Sequence, residues 1–463
     1  MIVKKYCSVH ALQLAVGMIV LGLLLAGSAN AASLTVCPSG CEYSIIQEAI
    51  NASSNEDTIL VNSGNYFENV NVNKKLTLQG IGMPVVDANG SGSAITLAAD
   101  GIILEGFTAT GSAYDIEAGI KEAGIKLTSS TNSLIGNNAS SNYHGILLDS
   151  FSNNNTLNSN NANSNNRYCI SLYYSSNNTI NGNNASNGCE DGIYMDSSSN
   201  NTLSSNNVSN NYDDGIYMVS SNNNTLSSNN ALNNYYGIFL SDSRNNTMSG
   251  NNASNNFDMG IGLGYSCNNN TLSSNNANTN EVNGIYLSGN NNILIGNNAS
   301  NNANGINIAF SNNNTLISNN ASNNHYGEYG SQLGYGIGLS SSSDNKLTGN
   351  NASNNSFGIY MDSSSSNKIY NNFFNNINNF QFYGSNVNNW NTMKQSGTNI
   401  VGGLYLGGNY WAYPNGTGVS QTCSDDNKDG ICDSIYELDA SNIDFLPLKK
   451  MLTGTISGTV RSW

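Results

Sequence analysis

Charge is scarce in this chain. Only 10% of its residues are Asp, Glu, Lys or Arg, and 30 acidic residues outnumber 15 basic ones, for a formal net charge of -15. A nucleic-acid partner needs a basic footprint, so no nucleic acid is expected. Histidine is scarcer still, with 3 in 463 residues. No Ser/His/Asp arrangement and no Lys-bearing glycine-rich phosphate loop stands out. Beyond the N-terminal segment no apolar run approaches the length of a membrane span, so the mature chain is read as having no transmembrane anchor. Asn, Ser and Gly fill the sequence instead, with 47 Gly, alongside 25 Tyr. That composition alone would fit disorder, but the apolar residues return at fixed positions, which disorder does not require.

The one long apolar run, from Ala11 to Ala26, follows Lys4 and Lys5 and precedes Ala29-Asn30-Ala31. A basic start, an apolar middle and a small-residue end make a secretory signal peptide, read as residues 1–31. The mature protein is therefore expected to be secreted or held at the cell surface. Loss of this segment removes Cys7 and leaves seven cysteines, so at least one is unpaired or pairs between chains. Cys37/Cys41 and Cys423/Cys432 are close enough for local disulfides in an oxidising compartment. Cys169 and Cys189 are candidates for a pair across adjacent repeats.

The repeat is the strongest signal. DGIYMDSSSNNTLSSNN, from Asp191 to Asn207, returns almost unchanged from Asp214 to Asn230. Three apolar series advance together, mostly by 21 to 24 residues: Ile125, Ile146, Ile170 and on to Ile359; Leu134, Leu157, Ile180 and on to Ile369; Ala139, Ala162, Ala185 and on to Phe374. Within GIYM, Ile193 and Met195 share one face and Tyr194 takes the other, as a strand requires. Asn and Gly between the words tolerate left-handed backbone at bends. One repeat is thus three short strands and three corners, with too few apolar residues to close a core alone. Stacked coils bury Ile on Ile, Leu on Leu and Ala on Ala. A leucine-rich repeat would need more Leu and a helical turn, and a coiled coil cannot carry this much Gly and Asn. The reading is an all-β chain, a right-handed parallel β-helix of about 22–23-residue coils, its hand taken from the usual crossover rule. Stacked corner asparagines are expected to hydrogen-bond along the coils. The same letters make N-x-[ST] sequons such as Asn138, Asn184, Asn207, Asn252 and Asn351.

The ends differ from the middle. Ile45, Ile46, Ala49 and Ile50 predict a short amphipathic capping helix over 44–52, which would cover the exposed edges of the first coil. The division follows: 1–31 signal peptide, 32–118 cap and irregular coils, 119–385 regular coils, 386–449 closing segment, 450–463 tail. Ile306 to Ile337 spans 31 positions and holds an insertion, His325 to Gly336.

Three constellations are candidates for chemistry. Asp425 to Asp433 reads DDNKDGICD and fits the first nine positions of an EF-hand-like loop. A structural Ca²⁺ there would take side-chain oxygens from Asp425, Asn427 and Asp429, the Ile431 carbonyl, and Asp433 directly or through water. Tyr436 stands where the bidentate acid belongs, which weakens the match. Second, Asp191 and Asp214 precede successive GIYM words, so stacking brings their carboxylates onto one edge. Paired carboxylates serve glycoside chemistry or hold a cation; a solvated acidic corner is the plainer alternative. Third, Tyr194, Tyr217, Phe239 and Tyr286 take the outward position after the inward Ile. Such rings can face sugars, or can simply stack with one another across the sheet.

The opening CPSGC…IQEAI, the word NYFENVNVNKKLTLQG, the NNTLxxNNAS coils and the ending GGNYWAYPNGTG…CSDDNKDGICDSIYEL…NIDFLPL resemble the NosD-type, pectin-lyase-like right-handed β-helix proteins of microbial surfaces. The resemblance covers nearly all of the mature chain. It implies the fold, but not one activity, since the group mixes polysaccharide lyases, hydrolases, binding proteins and copper-maturation factors. Copper favours His, Cys and Met, whereas His144 and His325 lie far apart and Met195, Met218 and Met361 fall on inward positions. The reading is an exported, non-catalytic cell-surface protein that binds a polysaccharide or envelope glycan. The alternatives are a polysaccharide lyase or glycosidase using Asp191 and Asp214, and accessory metal handling of the NosD type.

Overall fold

Apolar residues at every second position make a strand with one buried face, and the GIYM-type and NTL-type words supply this in every repeat. The computed structural model describes residues 31–114, 121–325 and 333–450. Most of the proposed signal segment, the boundary at 118–119, the centre of the insertion (326–332) and the tail beyond Lys450 lie outside the described residues. The two words form two long parallel sheets. One has 15 strands, from Ser33–Val36 to Lys368–Tyr370, and the other has 14, from Val70–Val72 to Asn378–Tyr383. Successive coils supply neighbouring strands, so the chain is a parallel β-solenoid of about 15 turns.

The register follows the sequence columns. Ile170 pairs with Ile193, Ile193 with Ile216 and Ile216 with Ile238. Leu203 pairs with Leu226 and Leu226 with Met248. Ile306 pairs directly with Ile337, so the insertion adds no coil. These side chains, Met195, Met218 and Met361 included, are fully buried in one continuous core.

The third word behaves differently from the expected strand. Over the regular coils it makes a single bridge per turn, in the series Asn138, Asn161, Asn184, Asn207 and Asn230, and becomes a true three-stranded sheet only near each end. The reason lies in the corners, where three columns of buried asparagine take over the pairing. In one column the backbone N–H of Asn206 donates to Asn229 Oδ1 (3.1 Å), and Asn229 N–H donates to Asn251 Oδ1 (3.0 Å). In the second, Asn201 N–H donates to Asn224 Oδ1 (2.7 Å). In the third, Asn211 N–H donates to Asn234 Oδ1 (2.9 Å). Each side chain also donates back, as Asn229 Nδ2 does to the Leu203 carbonyl (3.0 Å). The ladder thus links backbone to side chain between coils, and satisfies groups that no strand neighbour can reach. Gly188 stands where the third column would place an asparagine, and there Cys169 and Cys189 form a disulfide. The Cys37–Cys41 and Cys423–Cys432 pairs also form, and Cys267 is a buried free thiol.

The N-terminal helix spans Ile46–Ala52, shorter than expected. Ile46, Ala49 and Ile50 are buried, but Ile45 precedes the helix in extended backbone and is 43% exposed. The Glu68 carboxylate accepts the N–H groups of Ile46 and Gln47 (2.9 and 3.0 Å), which no helical carbonyl can satisfy. At the other end Trp390, Trp411 and Phe374 are buried over the last coils. Buried Asp444 accepts from the Asn409 N–H and Trp411 Nε1 (2.8 Å each), and burial pushes its carboxyl up to about 7.

If the corner columns hold the coils, Asn229→Ala strands a buried N–H and a buried carbonyl. It should cost about 3 kcal/mol in a urea melt, at 1–3 kcal/mol per unsatisfied group. Exposed Asn223→Ala should cost only about 1 kcal/mol, the penalty of a left-handed backbone without Asn. Equal losses at the two positions would refute the assignment.

Candidate functional site

The outer face of the 14-stranded sheet is where the repeat departs most from itself. In every regular coil but one a Gly precedes the inward Ile; in the exception Cys169 stands there. A Cβ at Gly192 would lie 2.7 Å from both Asn211 Nδ2 and the Gly215 carbonyl, and one at Gly215 would lie 2.5 Å from the Gly237 carbonyl. Only Gly lets the corner amide approach so closely. The residue just before this position belongs to the outer face: Tyr168, ahead of Cys169, packs with Leu147, Tyr173 and Tyr194, apart from the main core. In the next coil its partner is Asp191. His144, Tyr168, Asp191, Asp214 and Tyr236 therefore form one column.

The column is polar and dry. Asp191 and Asp214 are each 4% exposed. Asp191 Oδ1 accepts the Asp214 N–H (3.0 Å), while Asp214 Oδ1 has no partner among the described residues. Burial is the first cause that pushes Asp191 up to about 7, with Asp213 and Glu190 adding repulsion. Burial, then Asp191 and Asp213, push Asp214 up to about 9. Two coils earlier His144 is fully buried, its Nδ1 3.4 Å from Ser171 Oγ and its Nε2 unpartnered among the described residues. Burial, with Arg167, Lys121 and Lys126 nearby, lowers it to about 3.

The expected aromatic positions lie beside this column. Tyr194 stacks on Tyr168 (centroids 4.3 Å, planes 4° apart), and Tyr217 lies 5.6 Å from Tyr194 and 5.8 Å from Phe239. These rings face one another more than solvent. Tyr286 is set apart by Gly262, over which the Phe239 ring lies. The open aromatic surface is one corner away and was not singled out from sequence. Tyr212, Tyr235 and Phe257 follow the third-column asparagines Asn211, Asn234 and Asn256, and are 86%, 37% and 51% exposed. With Thr279 and Glu281 they line an open cleft of about 550 Å³. Tyr235 and Phe257 stack at 5.6 Å. The signal in the sequence was a bulky ring directly after the corner Asn in three successive coils.

The acidic loop near the C-terminus turns its oxygens onto its own backbone. Asp425 accepts from the Asp429 and Gly430 N–H groups (3.0 and 2.9 Å), Asn427 from Asp429 (3.0 Å) and Asp429 from Ile431 (2.9 Å). Lys428 and Gly430 have left-handed backbone. Asp433 accepts from the Asp426 N–H (2.9 Å), and Lys394 pairs with Asp429. Among the described residues no three His, Cys, Asp or Glu side chains gather as a metal centre.

Residues 123–277 and 176–321 match the family described as right handed beta helix region. The chain is a right-handed β-helix protein. Residues 329–416 of this β-helix protein match a second family, described as periplasmic copper-binding protein (NosD). A stretch of 90 residues is 39% identical to a cell surface glycoprotein of Methanothermus fervidus; it covers 19% of the β-helix protein and 15% of the relative's length. Similar solved structures include the Dettilon tailspike protein (16% identity, TM-score 0.47, 66% of this chain and 62% of that one). The Azotobacter vinelandii mannuronan C-5 epimerase AlgE4 A-module (15%, 0.38, 74% and 92%) and the periplasmic alginate epimerase AlgG (15%, 0.37, 72% and 75%) are further examples. Copper does not fit the donors present. The NosD-matching stretch contains no His and no Cys, and of its two Met residues Met361 is sealed in the core while Met393 is exposed. No helix among the described residues is long and apolar enough to cross a membrane.

The raised carboxyls set a pH dependence. An unfolded Asp titrates near 3.9, so the native state binds more protons than the unfolded one above that pH. The stability contributed by protonated Asp191 and Asp214 is complete below about pH 4 and is lost as pH rises through about 7 and about 9. Asp214→Asn should match the parent at pH 4 and exceed it by several kcal/mol at pH 9 in parallel denaturant titrations, at about 1.4 kcal/mol per pKa unit. A gap that does not change with pH would contradict the assignment.

Proposed function

We propose that this is an exported, non-catalytic cell-surface β-helix protein whose corner cleft binds a glycan, with sugar rings resting on Tyr212, Tyr235 and Phe257. The observation that carries the reading is three exposed aromatic rings on successive coils, flanked by asparagine amides and by Glu281. Rings present apolar faces and amides fix orientation, which is the chemistry of a polar ligand with flat hydrophobic patches. A surface location is supported by three disulfides, which persist in oxidising compartments, and by the stretch similar to a cell surface glycoprotein. Binding is favoured over lyase or glycosidase turnover because the Asp191 and Asp214 carboxyls lie beneath the surface, where a polysaccharide chain cannot reach them. Affinity electrophoresis against neutral and acidic polysaccharides should show retardation of the parent. Tyr235→Ala or Phe257→Ala should weaken it at least about tenfold, in line with stacking anchors elsewhere. Release of unsaturated or reducing sugar by the parent, abolished in Asp214→Asn, would favour the enzyme instead. Loss of binding in Tyr194→Ala but not in Tyr235→Ala would move the site to the stacked column.

We also propose that the Asp425–Asp433 loop takes a structural Ca²⁺. The support is its conformation: Asp425, Asn427 and Asp429 already turn inward around left-handed Lys428 and Gly430, and alternate oxygens in a tight loop suit this cation. Lys394 competes for Asp429. Calorimetry with CaCl₂ should therefore give a binding isotherm that tightens in Lys394→Ala and disappears in Asp425→Ala. No heat in either the parent or Lys394→Ala would reject the proposal.

A further inference from the structure

Two asparagine words of the repeat carry sequons in many of the coils, and the solenoid treats them differently. In the N-A-S word the asparagine is tied into a surface ladder. Asn161 Nδ2 donates to Asn138 Oδ1 (3.0 Å), Asn184 Nδ2 to Asn161 Oδ1 (2.8 Å) and Asn207 Nδ2 to Asn184 Oδ1 (3.1 Å). The sequon hydroxyl closes back on the same amide, as Ser209 Oγ does on Asn207 Oδ1 (2.8 Å). The N-N-T word is built the other way. Its second asparagine, such as Asn201 or Asn224, is the buried corner residue. Its first asparagine sits in the turn with φ between 57° and 60°, is exposed, and makes no side-chain hydrogen bond among those found. The Thr two residues later opens the next strand, and its side chain is exposed in most coils.

We infer that the first asparagine of the N-N-T word is an N-glycosylation site, on six successive coils at Asn154, Asn177, Asn200, Asn223, Asn245 and Asn269. The same word recurs at Asn313. Left-handed backbone alone accounts for asparagine at this turn, and a β-branched residue suits the strand that follows. Neither requires the hydroxyl that the sequon needs at the third position, and Asn291 shows the turn without it, since Ile293 stands in place of Thr. In the modification, Asn Nδ2 bonds to the anomeric carbon of a sugar donor activated through a lipid-linked phosphate. Nδ2 gives up one proton, the carbon–oxygen bond to phosphate breaks, and the phosphate leaves with the electron pair. No oxidation or reduction occurs. Successive sites are one coil apart, about 4.8 Å, too close for two branched glycans side by side, so about half of the six sites at most are filled in one molecule.

The test is glycopeptide mapping of the full chain produced with its leader in a host that has a lipid-linked N-glycosylation system. Sugar-bearing peptides are expected from the N-N-T column, with Asn291 and the N-A-S asparagines bare. Thr225→Ala should strip Asn223 alone, and Thr225→Ser should restore it. Thr225 is exposed, so neither variant disturbs the corner column. Unmodified protein in every fraction, or sugar confined to Asn138, Asn184 and Asn207, overturns the inference. Either result is independent of the polysaccharide-binding assay on the cleft.

Discussion

Everything in this molecule depends on what happens at the corners. A strand pairs its backbone groups with the coil above and the coil below, but a chain that turns three times in about 23 residues must also bury backbone where no ladder runs. An unpaired buried N–H or carbonyl costs about as much as several good contacts contribute. Asparagine solves this because one amide carries both an acceptor and two donors on a short arm. Its Oδ1 reaches the N–H of the coil before, and its Nδ2 returns to a carbonyl of the same neighbourhood. The arrangement works only if the next coil supplies the same residue at the same place, which is why the composition is so rich in Asn and why the repeat is so strict.

That strictness makes each departure informative. Where the third column lacks an asparagine, a disulfide between Cys169 and Cys189 joins the coils covalently. Where aspartate stands before the Gly, two carboxyls are drawn into the dry outer column and held above their usual range by burial first and by neighbouring carboxylates second. Where a ring follows the corner Asn in the coils of Asn211, Asn234 and Asn256, it stands open to solvent. The scaffold makes no distinction among these substitutions; it fixes position, and the side chain decides the chemistry.

The inward columns were legible in the sequence because a strand has a period of two and a solenoid a period of one coil, and both could be counted from Ile193, Leu203 and Val208. The third word reads as a strand in sequence because Ala and Asn at the right spacing do not reveal that one bridge per coil suffices once corner amides take over. Periodicity puts Ile45 on the helix, but Glu68, from a later coil, fixes the helix start one residue further on. Asp191 and Asp214 were read as an edge pair, and their stacking is as expected from the register. Their burial was not legible, since it depends on the close approach of corner amides to Gly192 and Gly215. Tyr212, Tyr235 and Phe257 escaped because they obey neither period and follow only from the shape of the corner.

The geometry also separates uses of the surface that would otherwise interfere. The exposed N-N-T turns precede the NTL strands, at the corner whose buried column includes Asn201 and Asn224. The aromatic cleft adjoins a different corner, that of Asn211, Asn234 and Asn256. The 14-stranded sheet lies between them along the chain path, since each coil runs from the cleft corner through a GIYM strand to the N-N-T turn. A bulky group at one corner is therefore directed away from a ligand at the other, and a solenoid held by side-chain ladders is stiff enough to keep the two apart. A globular domain with the same residues on mobile loops would lack that separation.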